Sequence, residues 1–103
     1  MVLQIIAAAE VELREAVAWY RERDVRVAAR FAQETRKVLK LIDEFPQIGG
    51  RVPEITDPHV RRMPIHTFPY HVIFVRLDAR TEVVAFAHNR KQPAYFIRRL
   101  NRT

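Results

Sequence analysis

Between Ala28 and Phe45 the apolar residues fall on one side of a helix. Ala28, Phe31, Ala32, Thr35, Val38, Leu39, Ile42 and Phe45 recur at three- and four-residue spacing over about five turns. A helix with such a stripe has to lay it on a second layer of structure. A second stripe lies directly upstream: Ala9, Leu13, Ala16, Val17 and Tyr20, with Glu10, Arg14, Arg21 and Glu22 on the other faces. The first helix ends near Arg23–Asp24, and Asp24 can cap the second. Pro46 stops the second helix, and Gly49–Gly50 supply a loop. Two helices with so short a connection form an antiparallel hairpin, and their stripes need a sheet to cover.

The rest of the sequence provides strands for that sheet. Met1 to Ile6 is apolar apart from Gln4 and reads as a short first strand. Val60 to His66 reads as a strand that Pro64 places at an edge or a bulge. Phe68 to Arg76 and Thr81 to His88 are strongly β-prone, and Leu77-Asp78-Ala79-Arg80 joins them as a hairpin. Pro93 can open a last short helix through Tyr95, Phe96 and Arg99. The expected order is β-α-α-β-β-β-α, an α+β fold in one domain over residues 1–103. Leu13, Val17, Phe31, Val38, Leu39, Ile42, Val72, Phe74 and Phe86 are its expected core.

Composition removes several functional classes. Cysteine is absent, so there is no disulfide scaffold, thiolate zinc site or cysteine nucleophile. Serine is absent too, and no glycine-rich phosphate loop is present. His59, His66, His71 and His88 lack the helical spacing of a metal site, so no metal or cofactor is expected. Asp57 and His59 sit in a proline-rich loop and read as turn chemistry. No apolar run approaches a membrane span, and no basic residue precedes Arg14 as a secretory leader would require, so a cytoplasmic protein is expected.

The net charge of +6 is uneven. Residues 1–45 carry eight basic and eight acidic side chains, whereas residues 46–103 carry ten basic and four acidic ones, so the second half holds the whole excess. That asymmetry points to an anionic partner, either nucleic acid or an acidic protein surface. The informative segment runs from Phe86 to Arg99. It leaves a strand at His88, passes through Arg90 and Lys91, and returns in a helix carrying Tyr95, Arg98 and Arg99. Such a patch combines cations that pair with phosphates or carboxylates, an imidazole that titrates near neutrality, and aromatic planes. Tyr95 and Phe96 can equally serve to pin the last helix to the sheet.

Four pieces, in this order, resemble the ParE/RelE superfamily of toxins from type II toxin–antitoxin systems, also called plasmid stabilisation proteins. They are Ala9-x-x-x-Leu13-x-x-Ala16-x-x-Trp19-Tyr20; Phe31 followed by Leu39-x-x-Ile42 and Phe45-Pro46-x-x-Gly49; Phe68-Pro69-Tyr70-His71-Val72-Ile73-Phe74; and Ala87-His88-x-Arg90-x-x-Pro93-x-Tyr95-x-x-Arg98. The last looks like the ParE branch.

The resemblance implies a RelE/ParE-like fold and a growth-inhibiting toxin neutralised by a cognate antitoxin. The antitoxin's C-terminal segment would wrap the domain, with a helix beside the helix hairpin and acidic residues against the basic half. A ParE-like chain would poison DNA gyrase without being a catalyst, with His88, Arg90, Lys91, Tyr95, Arg98 and Arg99 contacting the target. The alternative is a RelE-like, ribosome-dependent mRNA endoribonuclease. Arg61, Arg62, His66, Arg90 and Tyr95 would then stabilise charge and move protons at the ribose 2′-hydroxyl. Some such nucleases place a His or Tyr near the very C-terminus, and Arg98-Arg99-Leu100-Asn101-Arg102-Thr103 has neither. A third reading is a non-toxic basic module that docks an acidic partner.

Overall fold

The computed structural model describes residues 2–91 and 95–100. Strand β1 (Val2–Ile5) leads into helices α1 (Ala7–Arg23) and α2 (Val25–Glu44). Asp24 is the only residue between the helices. Its extended backbone breaks the helix, and its side chain accepts the Arg26 N–H at 2.9 Å, as an N-cap does. Four strands follow: β2 (Gly50–Arg51), β3 (Val60–Pro64), β4 (Tyr70–Arg76) and β5 (Arg80–His88). A short helix, α3 (Ile97–Leu100), comes last.

The five strands form one sheet in the order β1-β5-β4-β3-β2, antiparallel except for the parallel β1–β5 pair. Strand β2 is a correction to the sequence reading, which gave Gly50 to a loop. It has two residues and exists only through its pairing with Arg61 and Arg62. Pro64 pairs with His71 beyond the end of β2, where its missing N–H leaves no ladder bond unmade. The third strand stops at Pro64, short of His66, and the fourth starts at Tyr70, later than Phe68, because Ile65 to Phe68 closes a turn.

Helices and sheet enclose the larger core on one face: Phe31, Val38, Ile42, Val72, Phe74 and Phe86 are buried there. Leu13, Val17 and Leu39 are half-buried and pack around that cluster. Phe45 departs from the expected stripe. It is the C-cap of α2, has left helical backbone, and is 47% exposed. The other face of the sheet holds a second cluster of Val52, Val60, Ile73, Val84 and Ala85, covered by the buried Phe96. The expected helix start at Pro93 lies outside the described residues. Tyr95 and Phe96 form a turn, and helix begins only at Ile97.

A β-bulge shapes β5. Ile73 faces Ala85 while Phe74 faces Val83, so Val84 is the extra residue. Val84 and Ala85 accordingly both join the second cluster, while Val83 and Phe86 both join the larger one. The bulge re-aims the end of the strand, where the candidate site begins.

Candidate functional site

The sequence-predicted segment lies where β5 ends beside the start of β4, at the Tyr70–His88 pair. His88 closes β5, and its ring meets Tyr70 edge-on at 5.0 Å. The Arg90 N–H donates to His88 Nδ1 at 3.0 Å, so in the neutral ring the proton sits on Nε2. Asn89 ties the turn back to the sheet: its N–H donates to the Pro69 carbonyl at 2.8 Å, and its side-chain oxygen accepts the His71 Nδ1–H at 2.6 Å. The turn carrying Arg90 and Lys91 is therefore anchored by backbone and imidazole groups. Arg90, Lys91 and Arg98 are exposed.

Two depressions flank this turn. On the helix side a cavity of about 400 Å³ is lined by Trp19, Tyr20, Tyr70, Phe86, His88 and Lys91, with Glu12 and Glu15 at its edge. Trp19 is half exposed, and the Arg23 guanidinium lies 3.6 Å from its ring centroid. Burial raises the pKa of the Tyr20 and Tyr70 hydroxyls; for Tyr70 the charges of Tyr20 and Glu12 add to the effect. On the other face, a cleft of about 180 Å³ is lined by Arg62, His71, His88, Asn89, Lys91 and Tyr95 among others. Among the described residues no acidic one lines it. Val52, Pro53, Ile73, Ala87 and Phe96 form its apolar part, and Arg62 and Lys91 are the groups in it that would attract an anionic one, whether phosphate or carboxylate.

Tyr95 and Arg99 have partners within the fold. The Tyr95 hydroxyl donates to Glu12 Oε2 at 2.5 Å, and Arg99 Nη1 pairs with Glu12 Oε1 at 2.9 Å. Burial, then the hydrogen bond to Glu12, pushes the Tyr95 pKa far above its ordinary value of 10.0. At neutral pH it is a phenol whose proton is directed at Glu12. Burial works against the charge of Arg99, but the Glu12 carboxylate outweighs it and holds the guanidinium above its usual range.

The residues named for a nuclease are not gathered in one place. Arg62 and Tyr95 line the same cleft. Arg61, its neighbour on β3, faces the opposite side of the pleat. Its guanidinium donates to the Pro58 carbonyl at 3.0 Å and the Gly49 carbonyl at 3.2 Å. His66 sits in the exposed turn between β3 and β4, and Arg90 in the turn after β5. Asp57 and His59 form an Asx turn, with the His59 N–H donating to Asp57 Oδ1 at 2.9 Å. Among the described residues no three His, Asp or Glu side chains gather where they could hold a metal ion. No helix among them is long and apolar enough to cross a membrane.

A family profile described as "ParE toxin of type II toxin-antitoxin system, parDE" matches residues 4–93. The chain belongs to this ParE toxin family. No curated protein matches it significantly. Among solved structures, a chain of the "Chromosomal ParDE TA system from P. aeruginosa" is similar, at 19% identity and a TM-score of 0.69. The match covers 85% of this chain and 95% of that one, and at this identity it shows a shared fold. The ParE family match ends at residue 93, so Tyr95, Arg98 and Arg99 lie beyond it.

Sequence reasoning missed Glu12, the residue with the most partners in the site. The signal was present: Glu12 lies three residues after Ala9 and four before Ala16, on the apolar stripe of α1. A carboxylate on a buried stripe calls for partners. Trp19 and Tyr70 entered only as members of the motifs that resemble the family, and the cavity they share appears only in three dimensions.

Proposed function

We propose that this ParE-family chain is a cytoplasmic, non-catalytic toxin that inhibits DNA gyrase through its basic C-terminal segment and is neutralised by a cognate antitoxin. One observation carries the reading. Arg62, His71, His88 and Lys91 line one cleft in which no acidic residue is found among the described residues, and Arg90, in the adjoining turn, and Arg98, on the short helix that follows, are exposed. Contact by charge and position fits that arrangement better than catalysis does. Arg61 is engaged by backbone carbonyls, and the Tyr95 proton is held by Glu12. The antitoxin would cover the helix-side cavity beside Trp19, with acidic residues toward the basic half. The adjacent reading frame, co-expressed with this chain, should give a complex that survives purification. High yield of the chain alone from normally growing cells would oppose the toxin reading.

The deciding experiment uses purified protein in two assays, gyrase supercoiling and ribosome-dependent mRNA cleavage. Inhibition of supercoiling that disappears in Arg90→Glu/Arg98→Glu and largely survives in His88→Gln supports the proposal, because a contact needs charge and not proton transfer. Cleavage of mRNA with supercoiling untouched would replace the proposal with the RelE-like alternative; a general acid or base lost there typically costs 10²–10⁴-fold in rate.

A further inference from the structure

Strand β1 ends at Ile5, opposite Val83, and past that point no strand among the described residues pairs with the outer edge of β5. Open backbone groups on a buried edge need partners. Glu12 Oε1 accepts the Phe86 N–H at 3.0 Å, and Arg99 Nη1 donates to the Val84 carbonyl at 2.9 Å. Glu12 and Arg99 also bond each other, so an ion pair continues the ladder where β1 stops. The same carboxylate accepts the Tyr95 hydroxyl. Its side chain is only 16% exposed, and that of Arg99 24%.

Helix α3 has four residues, too few to hold itself together. Its placement rests on the buried Phe96, on the polar links of Tyr95 and Arg99 to Glu12, and on the bond of Arg99 to the Val84 carbonyl. Phe96 fixes the segment in depth. The hydrogen bonds of Tyr95 and Arg99 fix its rotation, and hence the direction in which Arg98 projects.

We propose that Glu12, on the first helix, is the positioning residue that orients the C-terminal basic segment toward its target. The inference rests on the reading above that this segment carries target contact. The isosteric Glu12→Gln keeps the shape but removes the charge. It also turns one acceptor oxygen into an NH2 group that confronts Arg99 at either position, and the Phe86 N–H as well at that of Oε1. Hydrogen bonds to a charged group are the stronger kind, so about tenfold or more of local protection should go.

The test is hydrogen exchange by mass spectrometry together with gyrase inhibition, on wild type, Glu12→Gln, Tyr95→Phe and the control Glu15→Gln. In Glu12→Gln, exchange at Phe86 and in residues 95–100 should rise about tenfold while α2 stays protected, and the inhibitory concentration should rise at least as much. Tyr95→Phe should show a smaller effect in the same direction, and Glu15→Gln none. Unchanged exchange in both Glu12→Gln and Tyr95→Phe overturns the proposal. So does loss of protection throughout the chain in both variants, which would make Glu12 a residue of the fold at large. Local loosening with undiminished inhibition overturns it too. If wild type does not inhibit gyrase, the target reading fails by itself. Exchange then judges whether Glu12 holds the segment, and growth arrest judges whether that matters to toxicity.

Discussion

Replacing Gly49 by alanine should destabilise the chain far more than the same change at its neighbour Gly50. Gly49 has φ +94°, and an ideal Cβ there would stand 2.5 Å from the Arg62 carbonyl oxygen and 3.2 Å from Met63 Cγ. The methionine can swing away. The carbonyl cannot, because Arg62 is paired with Gly50 on one side and Ile73 on the other. Left-handed backbone costs an L-residue roughly 1–2 kcal/mol. Relieving the overlap also pulls the Gly49 carbonyl from the Arg61 guanidinium, 3.2 Å away, a further loss of about 1 kcal/mol. With the partial loss of β2 the total comes to about 2–4 kcal/mol, a large share of a stability that runs about 5–15 kcal/mol for a domain. At Gly50 a Cβ would meet nothing within 4 Å, and φ is not positive. Alanine there should be neutral or stabilise by about 0.4–1 kcal/mol through the unfolded chain. Urea denaturation of the three proteins gives both values, with m expected to stay constant. Equal midpoints for the two variants, or a lower one for Gly50→Ala, would refute the reasoning.

Phe31 is fully buried, its ring 5.1 Å from those of Tyr20 and Phe68 and 5.3 Å from that of Tyr70, so Phe31→Ala should cost about 3–5 kcal/mol in the same assay. Phe45→Ala, at a half-exposed site, should cost less than about 1 kcal/mol. Thr67 holds φ +66° in the β3–β4 turn, so Thr67→Gly should raise stability by about 1 kcal/mol, read as a higher melting temperature. Tyr20, Tyr70 and Tyr95 all have pKa values raised by folding. Below the unfolded value of 10.0 their stabilisation is complete; above it the unfolded chain ionises first, so stability should fall as pH climbs past 10 toward the folded values. Urea midpoints measured from neutral pH to about pH 11 check this, and Tyr95→Phe should flatten the fall.

The helix hairpin was legible because its causes are local. The stripe from Ala28 to Ile42, the break and cap at Asp24, and the stop at Pro46 each depend on residues a turn or two apart. The strands at Val60, Tyr70 and Arg80 were legible for the same reason, in their β-branched runs. The four motifs that resemble the ParE/RelE toxins sit on these same elements. Strand β2 was not legible, because two residues have no period and become a strand only when Arg61 and Arg62 lie beside them. Nor was the bulge at Val84, which places Val83 and Phe86 on one face where strict alternation would divide them. Glu12 shows the difference most sharply. Its position on the α1 stripe is a fact of spacing. That it meets Phe86, Tyr95 and Arg99 follows from β1 ending at Ile5 and leaving the edge of β5 open beside α1. Helices and turns arise from neighbours along the chain, whereas partners seventy or more residues apart meet only after the sheet has chosen its order, and this site is built from those long-range meetings.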